Sequence, residues 1–252
     1  KKKVIAPSLI SQHYKENYIE IEDFGDLTVF QKFKKKTTNK KNYYKKILDL
    51  LSKIKKIKIK NQKTFLKTNF KVPNYTSKML LDESNLFIEW YLQKYFKGKK
   101  KQSLEKELKK IFKKLLRNIS YKRKVFVHRD FHVSNIMITK RGLGLIDSQD
   151  AVYGNIAYDL ASLIDDVRLK TNIKIKDFIF HEFLKKNKNL DHKKFKNDFD
   201  ILSVLRNFKI IGIFSRLSMR DNKNKYLKLI PYAWRLIELR VSKNPCLLYT
   251  SP

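Results

Sequence analysis

Apolar positions along the chain repeat at three or four residues in most places and at two residues in a few. Tyr44, Ile47, Leu48, Leu51 and Ile54 follow helical spacing, with Ile57 or Lys58 next on the same face, and predict a helix over 42–57. Leu104, Leu108, Ile111, Phe112, Leu115, Leu116 and Ile119 form one stripe and predict the clearest amphipathic helix, over 103–119. Glu105 and Glu107 would then lie in its first turn, where acidic groups complement the helix dipole. Further helices are expected over 27–36, 78–97, 157–167, 175–186, 192–220 and 225–243, with Pro231 breaking or kinking the last. Strands are expected at 9–14 and 18–22, around a Lys15-Glu16-Asn17 turn. Residues 58–77 read as irregular.

The stretch 125–150, VFVHRDFHVSNIMITKRGLGLIDSQD, breaks the helical rhythm. Val125 to Val127 reads as a buried strand, His128 to Asn135 as a polar loop, and 136–139 and 143–146 as strands about a turn at 140–142. Gly142 suits a turn position with positive φ. Asn135 and Asp147 are equidistant from Arg141, so a turn centred there sets them opposite each other, roughly 5 Å apart. An amide oxygen and a carboxylate at that spacing can share Mg²⁺, which prefers oxygen ligands and keeps substrate phosphates in its shell. Asp130, five residues before Asn135, supplies a third oxygen that can face an acceptor hydroxyl. An ordinary hairpin with surface polar residues is the simpler alternative for any one of the three.

The net charge of +34, from 58 basic and 24 acidic residues among 252, points first to nucleic acid or an anionic membrane. Two features change that picture. Lys, Asn, Ile, Phe and Tyr are abundant while Ala, Gly and Pro are scarce, which is the signature of A/T-rich coding. The lysines are also dispersed, mostly over polar helix faces, and no nucleic-acid motif is present. A non-catalytic basic nucleic-acid-binding module is therefore the less favoured class, and no specific nucleic-acid partner is expected. No apolar run reaches the roughly 20 residues that span a bilayer, so no membrane partner is expected either. Cys246 is the only cysteine, so no disulfide forms within the chain, which fits a cytoplasmic location. The sequence sets no oligomeric state.

The set Asp130, Asn135 and Asp147 resembles the catalytic loop and metal-binding aspartate of the protein-kinase-like fold. HRDFHVSN followed by LIDSQDAVYGNIAYDLASL resembles the aminoglycoside-phosphotransferase branch, and within it the bacterial kinases of cell-wall amino sugars. The resemblance implies an α+β fold. Its small β lobe, here incomplete, is followed by a mainly helical lobe carrying a catalytic β-hairpin. It also implies ATP and Mg²⁺ as cofactors and a small sugar as acceptor, most closely the anomeric hydroxyl of an amino sugar. An aminoglycoside or a choline-like alcohol is the alternative acceptor. Asp130 would orient the acceptor proton, and Asn135 and Asp147 would hold the metal. His128, Arg129 and His132 would shape the loop, and Asp159 would hydrogen-bond the loop backbone.

The string EDFGD resembles the inter-lobe hinge, so backbone groups at Glu22, Asp23 and Phe24 would meet adenine; a plain loop before a helix is the other reading. This divides the chain into 1–22, a remnant of the nucleotide lobe; 23–26, the hinge; 27–245, the helical catalytic lobe; and 246–252, a tail that breaks with the basic composition, has no counterpart in the family and reads as non-native. No Gly-rich phosphate loop precedes the hinge, so we expect an N-terminally incomplete lobe and poor ATP binding. Three residues are candidates for acceptor contact, each with a structural alternative. Trp90 is either a pocket wall or core. Asp150 contacts acceptor or metal, or caps a turn. Arg216, with Asp221, contacts substrate or forms an ion pair. Where the family commonly has Phe after the metal-binding aspartate, this chain has Ser148.

Overall fold

The computed structural model describes residues 4–35, 37–59, 62–63, 69–122, 124–244 and 247. Most of the expected tail therefore lies outside the described residues; Leu247 is described and is buried. In chain order the elements open with strands β1 (Leu9–His13) and β2 (Tyr18–Ile21), helices α1 (Val29–Lys34) and α2 (Lys40–Ile54), and the short strands β3 (Gln62–Lys63) and β4 (Asn69–Phe70). Helix α3 (Ser77–Leu86) runs through a π-helical turn (Phe87–Leu92) into α4 (Gln93–Tyr95), and α5 (Gly98–Arg117) follows. Strands β5 (Lys124–Val127), β6 (Ile136–Thr139), β7 (Gly142–Leu145) and β8 (Val152–Asn155) precede α6 (Tyr158–Ile164), α7 (Ile173–Lys185), α8 (His192–Asp221) and α9 (Ile230–Val241).

The chain forms two compact units. The first comprises Lys1–Asn74, Lys124–Asp159 and Thr171–Lys188. Its strands pair in antiparallel twos: β1 with β2, β3 with β4, β5 with β8 and β6 with β7. Single bridges join them to their surroundings, Ile5 to Gly144, Thr28 to Met137 and Asn74 to Tyr153. The predicted stripe of α2 is the core of this unit: Tyr44, Ile47, Leu48, Leu51 and Ile54 are all fully buried, together with Ile179 and Phe183 of α7. At the C-terminal end of α2, Lys55 donates to Asn187 (2.7 Å) and lies over the Phe183 ring, which clips α2 to α7. The first turn of α1 is set by a capping box, in which Thr28 Oγ1 accepts from Gln31 N–H (3.1 Å) and Gln31 Oε1 accepts from Thr28 N–H (2.8 Å).

The second unit, Tyr75–Arg123, Leu160–Lys170 and Asn189–Pro252, is helical. Helix α8 is buried nearly all round over its middle turns, from Asp198 through Ser215, because α3, the π turn and α9 all pack on it. Gly212 permits the closest of these approaches: a Cβ there would lie 2.3 Å from the carbonyl carbon of Leu86. Phe87 of the π turn meets Phe208 and Trp234 edge-on, at ring separations of 4.9 and 5.6 Å. A polar joint ties three helices inside this apolar packing. Arg240 of α9 donates to both oxygens of Asp165 (2.8 and 2.9 Å), Ser203 of α8 donates to Asp165 (2.6 Å), and the Arg240 guanidinium also faces Asp200. Burial pushes the Asp200 carboxyl up, against the opposing pull of Lys196 and Arg240.

Several expectations are corrected. Helix α5 begins at Gly98, so Glu105 and Glu107 lie in its interior and its first turn has no acid; Glu105 instead pairs with Lys109 one turn on. Pro231 neither breaks nor kinks the last helix. It occupies the first turn of α9, where a missing N–H costs nothing, and residues 224–229 form a separate 3₁₀ segment. The helix over 78–97 holds a π turn, which begins where the Leu86 backbone lies against Gly212. Strand β8 was not predicted; Val152 and Gly154 are buried and the run is too short to show a period.

Replacing Arg240 by Met should destabilise the protein by about 3–5 kcal/mol, since two buried carboxylates lose their guanidinium. Urea unfolding of the variant reads this, and a loss below about 1 kcal/mol would mean that the joint is dispensable.

Candidate active site

Strand β5 delivers the chain into the loop His128–Asn135, which is polar but anchored by two apolar side chains, Phe131 and Val133, both buried in the first unit. Val133 also uses its carbonyl, which accepts from Phe30 N–H (3.0 Å). At the loop's start, both carboxylate oxygens of Asp159 accept from the backbone: Oδ2 from His128 N–H (2.8 Å) and Oδ1 from Arg129 N–H (3.0 Å). Asp159 itself is buried, in the first turn of α6. The clamp holds Arg129 at φ +73, a left-handed conformation that a side chain with Cβ adopts only when its surroundings fix it. The Arg129 guanidinium donates to the Asp150 carbonyl (3.2 Å).

His128 is fully buried. Its Nε2 lies 3.0 Å from the Ile146 carbonyl, so Nε2 carries the proton and donates. Burial pushes the imidazole pKa below its ordinary value of 6.5. The ring thus joins the loop to the last residue before Asp147 as a neutral strut. His132 closes a tight turn, its N–H donating to the Asp130 carbonyl (3.0 Å) and its carbonyl accepting from Asn135 N–H (2.9 Å).

The hairpin brings Asn135 and Asp147 together, but not by the expected register. Ile136 pairs with Leu145 and Thr139 with Gly142, so the turn is Lys140-Arg141 and its centre falls between those residues. Asn135 therefore stands opposite Ile146, whose N–H donates to the Asn135 carbonyl (3.1 Å). A slip of one residue should send the next side chain to the other face. Asp147 is at φ +67, and this left-handed turn brings its carboxylate back: Oδ2 accepts from Asn135 Nδ2 at 3.2 Å. The same Nδ2 donates to the Asp130 carbonyl (3.1 Å), so Asn135 ties the catalytic-loop candidate to the hairpin. Both bonds use the amide nitrogen, which leaves Asn135 Oδ1 and Asp147 as the oxygens suited to a hard cation. An ion held by these two side chains would fill its remaining positions with phosphate and water, as Mg²⁺ does.

Sequence reasoning missed Gln149. Its Nε2 donates to Asp147 Oδ1 (2.7 Å), so the two oxygens of Asp147 are held by two different amides. No sequence pattern marks this contact, which depends on the left-handed backbone of Asp147. In the segment 22–24, Ser8 and Glu22 exchange hydrogen bonds, and Asp23 Oδ1 accepts from Gly25 N–H (2.7 Å), with Gly25 at φ +70. Asp150 is exposed. Trp90 and Arg216 belong to the second unit, on the π turn and on α8, and both are half-buried. The two oxygens of Asp221 accept from the adjacent Arg220 (2.7 and 3.1 Å), which holds its carboxyl below the usual carboxylate range, with a smaller pull from Arg216.

The fold is protein-kinase-like. The structure aligns with a choline/ethanolamine kinase family protein from Mesorhizobium loti at a TM-score of 0.64 and 8% identity, over 98% of this chain and 76% of that one. It aligns with the gentamicin-bound aminoglycoside kinase APH(2″)-IIa at a TM-score of 0.63 and 16% identity, over 99% of this chain and 77% of that one. At those identities the likeness is one of fold. The sequence model of the phosphotransferase enzyme family matches residues 36–182, more than half of the chain, and the chain belongs to that family. It is 26% identical to the N-acetylmuramate/N-acetylglucosamine kinase of Pseudomonas aeruginosa over 96% of its own length and 70% of that protein's. It is 34% identical to the kinase of the same name from Neisseria meningitidis, over 64% of this chain and half of that protein. Among the described residues no helix is long and apolar enough to cross a membrane.

The depressed His128 pKa has a pH signature. The unfolded chain takes up a proton near pH 6.5 that the folded imidazole refuses, so stability is complete above that value and falls as pH drops through it toward the lower folded pKa. A His128→Asn variant should show a flatter stability profile below pH 6.5, measured by urea unfolding across a pH series. Parallel profiles for parent and variant would contradict it.

Proposed function

We propose that the protein transfers the γ-phosphoryl group of ATP to a hydroxyl of a small sugar, with the anomeric hydroxyl of N-acetylmuramate or N-acetylglucosamine as acceptor. The observation that carries the reading is the triple of Asp130, Asn135 and Asp147, joined through one amide nitrogen at the open end of the β6–β7 hairpin. The names of the Pseudomonas and Neisseria relatives support the acceptor. Asp130 would accept the hydroxyl proton. Asn135 and Asp147 would hold Mg²⁺, with Gln149 fixing the second carboxylate oxygen. The ion, when bound, neutralises charge on the transferring phosphates. Asp159, His128, Arg129 and His132 would keep the loop in register beneath that pair. Backbone groups of Glu22–Phe24 would meet the adenine ring, and Asp150 would contribute to the acceptor side. A reaction that consumes cytoplasmic ATP implies a cytoplasmic protein, which the single cysteine fits.

With MgATP raised far enough to offset the poor ATP binding expected of this chain, turnover followed by phosphorus NMR of the product should yield a sugar 1-phosphate from N-acetylmuramate or N-acetylglucosamine and none from gentamicin or choline. Transfer to gentamicin or choline alone would overturn the acceptor. Asp130→Asn and Asp147→Asn should each lower turnover by about 10²–10⁴-fold with the fold intact by circular dichroism. Turnover within about tenfold of the parent would sink the assignment of these residues.

A further inference from the structure

The turn of the β6–β7 hairpin points away from Asn135 and Asp147, and nothing above gives it a task. Its residues converge on segment 22–24. The Arg141 guanidinium ion-pairs with the Glu22 carboxylate, and it holds that carboxyl below the usual carboxylate range. The same guanidinium lies 5.7 Å from the centroid of the Phe24 ring, within cation–π range. Gly144, two residues before the end of the hairpin's apolar run, is buried, and the Phe24 ring occupies the space a side chain would need: a Cβ on Gly144 would lie 2.7 Å from the ring edge. Backbone contacts flank this latch. Leu145 N–H donates to the Ile5 carbonyl (2.8 Å), and Ile138 N–H donates to the Leu27 carbonyl (2.8 Å). Segment 22–24 is therefore fixed on the hairpin through side chains, between the flanking backbone contacts of Ile5 and Leu27, and the fixing residues belong to the hairpin whose open end carries Asn135 and Asp147.

We propose that Arg141 and Gly144 are positioning residues for the nucleotide: they set the 22–24 backbone against the adenine ring from the same hairpin that presents the metal ligands. This rests on the reading of Glu22–Phe24 as the adenine-contacting segment. Two different physical contributions are involved. Arg141 supplies charge and a planar face, and Gly144 supplies room. Loss of either should loosen the same segment, although the two residues share no chemistry. Arg141 is exposed, so its replacement leaves the core intact.

The test measures MgADP binding to the 252-residue chain by saturation-transfer NMR, a method suited to weak affinities, for the parent and for Arg141→Ala, Arg141→Lys, Glu22→Gln and Gly144→Ala. Arg141→Ala and Gly144→Ala should each weaken MgADP by about fivefold or more. Arg141→Lys should restore part of the loss, since a lysine keeps the charge but not the planar stack on Phe24. Arg141→Ala combined with Glu22→Gln should be no weaker than the worse single variant, because both remove the same ion pair. Melting temperatures of the variants separate a lost ligand site from a lost fold. If the parent binds MgADP and both the alanine variants stay within about twofold of it, the latch is overturned and the adenine reading stands. A parent that shows no saturable MgADP signal overturns the adenine reading, and the latch with it.

Discussion

The Asp159 carboxylate is the contact on which the rest of the site depends. Its two oxygens take the N–H groups of His128 and Arg129, one each. Without them, two buried donors would lack partners and Arg129 would relax from its left-handed backbone. That backbone turn is what directs the loop from β5 toward Asn135. Phe131 and Val133 then secure the loop by burial, so polar and apolar side chains alternate in holding one short segment. The loop is rigid because each of its anchors constrains a different degree of freedom: Asp159 the backbone, Phe131 and Val133 the depth, His128 the distance to the hairpin.

Asp147 presents the same logic on the other side. A carboxylate following a regular strand would continue the alternation and face away from Asn135. A single left-handed residue reverses it, and two amides, from Asn135 and Gln149, hold the two oxygens that result. Both non-glycine residues with positive φ in the stretch 125–150 thus adjoin the candidate chemistry, which is where backbone strain is most often retained. The phosphotransferase family to which the chain belongs uses a fold that accepts many small alcohols. The acceptor must therefore be decided by side chains outside this loop and hairpin.

Much of this was legible in the sequence, for identifiable reasons. The α2 stripe was readable because five core residues repeat at helical spacing and all face one way. The hairpin was readable from its two short apolar runs and from Gly142 in the turn between them. Its register was not: the difference between a turn centred on Arg141 and one centred on Lys140-Arg141 is half a residue, and only the closing pair Thr139–Gly142 decides it. The start of α5 was misplaced because Lys99 to Gln102 carry no apolar period, although lysine is a sound helix former. The π turn was invisible because the backbone approach that accompanies it, at Gly212, lies more than a hundred residues away in sequence. Gln149 was overlooked for the opposite reason, since its partner is so close that the contact depends on a backbone angle rather than on a pattern.

The polar joint of the second unit has a consequence for how the protein meets heat. Asp165 and Arg240 are buried almost completely, so their pairing is opposed at ordinary temperature by the cost of stripping water from both ions. That cost declines as temperature rises, because ion hydration carries an unfavourable entropy, while the gain from burying apolar surface levels off. The Arg240 joint therefore holds α6, α8 and α9 together with a relative strength that grows on warming, as the aromatic and aliphatic packing around Gly212 approaches its limit.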